Sequence, residues 1–198
     1  GILEREEGGL IYPEMNILGA VETGRFTSSN PNIQQIPKRD GDYAKMVRSV
    51  FLPYDGCEWA SLDFSAQEPR LQVGYASVAR CMGADVILQS FLENPRLDLH
   101  QRVADLAQIT RTAAKTIGLG ISYGMGRGKL ALSLGLGDKE AKELLAKYNK
   151  MVPYLKDLDK KVQASGLAKG YVKTLSGRRL AVEKEFIYKS LNKLIQGS

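Results

Sequence analysis

Arg111-Thr-Ala-Ala-Lys115-Thr-Ile-Gly-Leu119-Gly-Ile-Ser-Tyr123-Gly124 is the stretch on which the reading of this sequence turns. Thr110 precedes it as a helix N-cap, so a helix over Arg111–Tyr123 is expected. Arg111, Lys115, Leu119 and Tyr123 recur at every fourth position. Each step of four advances about 400°, so the four share one slanting face, about 18 Å long at 1.5 Å per residue. That face offers two cations, then an apolar group, then an aromatic ring. A nucleoside triphosphate presents phosphates, sugar and base in the same order. Arg would grip phosphate with a planar fork and Lys as a point charge. Two cations on a helix also suit an ordinary solvated face, and the helix by itself leaves both explanations open.

Upstream, Asp98 is a plausible N-cap for a helix over His100–Ile109, and Val86–Leu92 is apolar enough to be another. Gln67–Met82 reads as a helix broken by Gly74. Before it, Val47-Arg-Ser-Val-Phe-Leu52, a Pro-Tyr-Asp-Gly turn and Trp59-Ala-Ser-Leu-Asp-Phe64 read as two short strands joined by a tight turn. Asp63 then ends an apolar strand just before a helix. This position suits a divalent-metal ligand, and equally a helix cap. Glu68 and Arg70 are compatible with a surface pair. Residues 1–46 are rich in Gly, Pro, Asn and Ser and read as loop with short extended pieces.

Downstream, Asp138 is read as the cap of Lys139–Lys150, with Ala141, Leu144, Leu145 and Tyr148 on one stripe. Pro153 opens a helix to about Ser165, Gly170–Val182 forms a hairpin turning at Ser176-Gly177, and a last helix begins near Phe186. The sum is an α+β chain with helices dominating its second half. Two motifs fail on inspection. Gly124-Met-Gly-Arg-Gly128-Lys129-Leu130 lacks the first Gly and the Ser or Thr of a phosphate loop, and the Gly118/Gly120 and Gly135/Gly137 pairs lack the third glycine of a dinucleotide fingerprint.

Composition sets the outer limits. The 198 residues suffice for one domain or parts of two, and 43% hydrophobic content is that of a globular chain. No apolar run reaches the roughly 18 residues of a membrane span, and no secretory leader is visible. Cys57 and Cys81 lack metal or redox spacing, and one His forms no zinc cluster. A net charge of +6 favours an anionic partner such as nucleic acid. The first residue is Gly and the last five, Leu-Ile-Gln-Gly-Ser198, read as helix, so a piece of a longer chain is expected.

Five segments, in order, resemble those of family A DNA polymerases. Asp63-Phe-Ser-Ala-Gln-Glu68-Pro-Arg70 resembles the family's motif A, and Arg111-x3-Lys115-x3-Leu119-Gly120-x2-Tyr123-Gly124 its motif B. Thr23-Gly-Arg25-Phe-Thr-Ser-Ser-Asn-Pro-Asn32-Ile-Gln34-Gln-Ile-Pro37 is similar to the primer-side segment. Thr174-Leu-Ser-Gly177-Arg-Arg179 and Asn192-x3-Gln196-Gly197 are similar to later ones. The resemblance implies a right-hand polymerase fold. Residues 1–72 would be the start of the palm with short antiparallel strands, 73–182 the largely helical fingers, and 183–198 a helix returning to the palm. The thumb and the rest of the palm would lie outside this sequence.

It also implies roles. Asp63 and the Phe64 carbonyl would ligate metal, two Mg²⁺ ions in all, with the second metal aspartate in a motif C downstream of Ser198. Asp63 and Lys115 would be catalytic, and the chain alone inactive. Arg111, Lys115 and His100 would hold phosphates, Leu119 the sugar and base, and Tyr123 would stack at the templating position. Glu68 would crowd the nucleotide's 2′ position and exclude ribonucleotides. Arg25, Asn32, Gln34, Arg70, Asn192 and Gln196 would contact primer–template DNA, chiefly in the minor groove. The partners implied are primer–template DNA and deoxynucleoside triphosphates, with no membrane and no oligomer, in the cytoplasm of a bacterium or a phage-infected host. The function implied is DNA-directed DNA synthesis in replication or repair. A single-subunit RNA polymerase shares the motif B spacing but lacks Glu68, and an idle nucleic-acid-binding module is the other alternative.

Four positions depart from the family pattern. Leu119 replaces the usual aromatic, so weaker nucleotide binding or slower incorporation is expected, since base stacking contributes roughly 1–3 kcal/mol. Gly118 and Gly128 replace bulkier residues, which would loosen the helix and the template side. Tyr188 stands where bacterial relatives carry a template-contacting Arg. The Gln-Glu-Pro form of motif A is more phage-like than bacterial.

Overall fold

The computed structural model describes residues 2–20, 23–38 and 41–198. Two compact units divide between Asp63 and Phe64.

The first unit holds short antiparallel ladders and one helix. Strands β1 (Glu6–Glu7) and β2 (Leu10–Ile11) pair around Gly8-Gly9, and β3 (Glu14–Ala20) pairs with β4 (Arg25–Ser29). Asn32 then caps a short 3-10 helix over Ile33–Gln35: its Oδ1 accepts from the Gln34 N–H at 3.1 Å and from Ser28 Oγ at 3.1 Å. Helix α1 covers Gly41–Ser49.

The two strands expected over 47–64 do not form. Val47–Ser49 closes α1, and residues 51–64 are irregular apart from the Tyr54–Cys57 turn, where the Cys57 N–H donates to the Tyr54 carbonyl. The physical reason is the absence of a partner. A strand is stable only beside another strand, and among the described residues none pairs with this segment. Its apolar groups therefore face outward, Leu62 95% exposed. Asp63 does not cap the following helix either, because the residue before it is Ala66 in the left-handed region (φ 52°).

The second unit is a helical body with one hairpin. Helix α2 (Gln67–Val78) runs unbroken through Gly74, and the expected boundary at residue 72 falls inside it. Lys161 Nζ donates to the Ala79 and Arg80 carbonyls beyond its end, at 3.0 and 3.3 Å. Helices α3 (Ala84–Glu93), α4 (Leu99–Ala107) and α5 (Arg111–Ser122) follow. Asp98 and Thr110 cap the last two as expected, accepting from the N–H groups of Gln101 and Ala113. Next come α6 (Arg127–Leu134), α7 (Asp138–Met151) and α8 (Pro153–Lys169).

At α7 the cap differs from expectation. Gly137 is the N-cap, its N–H donates to Glu140 Oε2, and Asp138 instead pairs with Arg127 at 2.9 Å. The hairpin closes as read, β5 (Tyr171–Lys173) against β6 (Arg179–Ala181), with Gly177 at φ 92° in its turn. A 3-10 turn over Lys184–Lys189 leads into α9 (Ser190–Gln196).

The core of this unit gathers one face from most of its helices, with Val73, Ile117, Tyr154, Leu155, Leu158 and Leu191 each at most 1% exposed. Cys81 is buried and Cys57 exposed, and both thiols are free. No helix among the described residues is long and apolar enough to cross a membrane.

Candidate functional site

Helix α5 owes its orientation to the alternation of small and large groups along it. Ala114, Ile117 and Gly118 point into the core. Arg111, Lys115, Leu119 and Tyr123 lie on the other side, Arg111 and Tyr123 exposed, Lys115 and Leu119 half-buried. The stripe read from the sequence is thus one accessible face.

Each end of the stripe is held by side chains from other elements. At the N-terminal end, Asp98 acts twice. One carboxylate oxygen caps α4, and the other accepts from Arg111 Nε at 2.8 Å. Burial pushes the Asp98 carboxyl up, but the Gln101 N–H, Arg111 and His100 outweigh it and leave it below its usual range. His100 sits beside this pair. Its burial holds the imidazole below its ordinary pKa, the charges of Arg111 and Lys115 act in the same direction, and Asp98 opposes them. Three residues expected at phosphate, His100, Arg111 and Lys115, are therefore electrostatic neighbours.

At the C-terminal end, Tyr123 Oη donates to Glu68 Oε1 at 3.4 Å and accepts from Gln196 Nε2 at 2.6 Å. These residues come from α2, α5 and α9, three separate sequence segments, and meet at one hydroxyl. Below them, Gln72 Nε2 donates to Ser122 Oγ at 2.7 Å, and Ser122 Oγ donates to the Gly118 carbonyl at 2.7 Å.

Gly118 does not loosen the helix. A Cβ there would stand 2.7 Å from Tyr148 Oη and 3.6 Å from His100 Cε1, so the glycine admits the Tyr148 hydroxyl against α5. Burial drives the Tyr148 phenol far above its usual pKa, which keeps it neutral at any working pH. Gly118→Ala is expected to destabilise the protein by about 1–3 kcal/mol, because Tyr148 is too enclosed to swing away. Thermal melts check this, and Tyr148→Phe should restore most of the loss. At Gly128 a Cβ would meet nothing within 4 Å.

Of the remaining expected residues, Arg70 and Asn192 belong to the second unit. Arg70 is engaged locally: its Nε donates to the Ser65 carbonyl at 2.9 Å, its Nη2 to the Pro95 carbonyl, and its guanidinium lies 4.7 Å from the Phe91 ring centre. Asn192 is half-buried on α9. Arg25, Asn32, Gln34 and Asp63 belong to the first unit. There Gln34 Nε2 donates to the Phe26 carbonyl at 3.0 Å. Asp63 and Phe64 are exposed.

No group of three His, Cys, Asp or Glu side chains among the described residues could hold a metal ion. Asp63 and the Phe64 carbonyl are hard oxygen donors of the right kind for Mg²⁺, which takes six oxygens. They do not complete such a shell.

Sequence reading missed Asp98 as the partner of Arg111, and it missed Gln72, Ser122 and Tyr148. Gln72 was detectable in principle. It lies one helical turn beyond Glu68, so both are on one face of α2.

The second unit is thus a helical body whose cation-and-aromatic stripe is closed by a carboxylate and an amide from neighbouring helices. The chain is similar to the POL domain of Pol1 from M. smegmatis, solved in complex with DNA primer-template and dNTP. The TM-score is 0.81 at 27% identity, over 99% of this chain and 36% of that one. The sequence pattern of DNA polymerase family A matches residues 2–198, and the chain belongs to that family.

Among its relatives is the DNA-directed DNA polymerase of Pseudomonas phage M6, 36% identical over 88% of this chain and 33% of the relative. DNA polymerase DpoZ of Vibrio phage phiVC8 is 31% identical over 100% and 35%. The thermostable DNA polymerase I of Thermus aquaticus is 31% identical over 81% and 19%. The chain thus spans about a third of the length of the phage relatives.

Proposed function

We propose that this chain is the nucleotide-gripping part of a DNA-directed DNA polymerase, which adds deoxynucleotides to a primer end under template direction. Residues 1–72 are read as the start of the palm, 73–182 as the fingers and 183–198 as the return to the palm. The observation that carries the reading is the Glu68–Tyr123–Gln196 cluster at one end of a face whose other end holds His100, Arg111 and Lys115.

In this reading Arg111 and Lys115 bind the triphosphate, and Lys115 gives a proton to the departing pyrophosphate oxygen. Neutral His100 donates or accepts a hydrogen bond at a phosphate oxygen. Leu119 packs on the sugar and base without a π face. Tyr123 closes the pocket toward the template, while Glu68 fills the space a 2′-hydroxyl would need. Arg25, Asn32, Gln34, Arg70, Asn192 and Gln196 are the proposed contacts to primer–template DNA.

The reaction is read as dependent on two Mg²⁺ ions, with Asp63 and the Phe64 carbonyl as part of their ligand set. The chain's own donors leave that set incomplete, and no step above is routed through the ions. Glu68 favours a DNA product over an RNA product.

The test is primer extension by the polymerase that carries this chain, on a defined template with each deoxynucleotide and ribonucleotide in turn. Template-directed deoxynucleotide addition is the expected result. Ribonucleotide addition at equal efficiency, or template binding with no addition under any divalent cation, would overturn it.

A further inference from the structure

We propose that Gln72 and Ser122 are positioning residues that set the Tyr123–Glu68 contact and, through it, the choice of sugar. The inference rests on the reading of Tyr123 and Glu68 as part of the nucleotide pocket.

The pair is anomalous for its place. Gln72 is 6% and Ser122 3% exposed, in a unit whose core is mostly apolar. Two apolar side chains of similar size would fill this space at less desolvation cost. What a hydrogen bond adds is direction. The Ser122 hydroxyl has one proton, and the Gly118 carbonyl takes it at 2.7 Å, so toward Gln72 the oxygen can only accept. The amide must therefore present its N–H₂, and every group in the chain Gln72, Ser122, Gly118 has a single allowed orientation.

The geometry gives that direction a purpose. Helices α2 and α5 do not pack directly along their lengths; α8 lies against both. Core packing sets the rotation of α5 as a whole, and side-chain bridges adjust how its last turn meets α2. Glu68 and Gln72 are one turn apart on α2, and Ser122 and Tyr123 are adjacent at the end of α5. One bridge is buried and short, Gln72–Ser122 at 2.7 Å; the other is near the surface and long, Glu68–Tyr123 at 3.4 Å. The strong inner bridge holds the register in which the weak outer one forms. A back-bonded Ser in the last turn also bends a helix locally, which adjusts where the next side chain points.

The experiment is a double-mutant cycle in the polymerase that carries this chain, read as single-turnover incorporation of deoxynucleotide against ribonucleotide. Gln72→Leu is expected to lower sugar discrimination about fivefold, the size of one buried neutral hydrogen bond. Ser122→Ala should do the same. In a Tyr123→Phe background Gln72→Leu should change discrimination no further, because the hydroxyl it positions is gone. A purely structural role would lower stability and activity equally in both backgrounds. Full additivity of Gln72→Leu with Tyr123→Phe overturns the proposal, as does Gln72→Leu with unchanged discrimination. Glu68→Ala separates the two layers. If it leaves discrimination unmoved, the pocket reading itself fails; if it lowers discrimination while the cycle is additive, only the positioning role fails.

Discussion

Lys115→Ala is expected to lower the efficiency of deoxynucleotide incorporation on the order of a thousandfold in the polymerase that carries this chain. Two features of the α5 face make this the largest effect. Arg111 already spends part of its charge on Asp98, at 2.8 Å. Among the described residues no carboxylate pairs with Lys115, so its charge is undiluted where a triphosphate would lie. It is also half-buried, and charge acts more strongly there than in open water. Pre-steady-state kinetics would divide the loss between nucleotide affinity and the chemical step. A lost phosphate contact alone raises the dissociation constant, whereas a lost proton donor slows the step itself. Lys115→Arg keeps the charge and should recover affinity more than rate. A Lys115→Ala enzyme within tenfold of the parent would sink the assignment.

Glu68→Ala should lower discrimination against ribonucleotides by about a hundredfold, the range that steric exclusion of a small group achieves. The Tyr123 hydroxyl donates to the Glu68 carboxylate at 3.4 Å, which narrows where the obstruction can stand. Glu68→Gln keeps both the bulk and an oxygen that can accept from Tyr123. It should retain most of the discrimination, which would show that volume and not charge excludes the 2′-hydroxyl. Competition assays with matched deoxy- and ribonucleoside triphosphates read the ratio directly. Unchanged ratios for Glu68→Ala would count decisively against this role.

The α5 face was legible because helical periodicity is a local property. Thr110, the run to Ser122 and the four-residue spacing are all contained in one segment, and no distant partner is needed to form them. The same holds for Asp98 at α4, the Pro153 start of α8 and the hairpin turn at Gly177. The strands expected over 47–64 failed for the complementary reason. Alternation proposes a strand, but a partner decides it, and a short apolar alternation reads as helix end or irregular chain when none is adjacent.

Asp98 shows a third kind of limit. Its capping role was visible from the next helix, while its second oxygen reaches a cation 13 positions later, a distance that only the packing of α4 on α5 sets. Gly118 shows a fourth. A glycine in a helix advertises freedom in the sequence, whereas here it marks the close approach of the Tyr148 hydroxyl.

On the proposed reading, His100 would make nucleotide binding a matter of proton counting as well. Its imidazole is held below its ordinary pKa by burial and by Arg111 and Lys115, so in the free protein it carries little charge at neutral pH. A triphosphate on those two cations offsets their repulsion and raises the affinity of His100 for a proton. The complex then holds more protons than its separated parts, and by linkage this contribution to affinity grows as pH falls through the raised pKa of His100 in the complex toward its lowered pKa in the free protein. The triphosphate's own terminal ionisation pulls the other way, so the informative quantity is the difference between the parent and His100→Gln. The parent should show the larger proton uptake, read across a pH series as calorimetric binding enthalpies that vary with the ionisation heat of the buffer. Equal buffer dependence in the two proteins would rule the linkage out. A side chain read from sequence as a phosphate contact is, on this account, also a gauge of how much charge the bound phosphates bring.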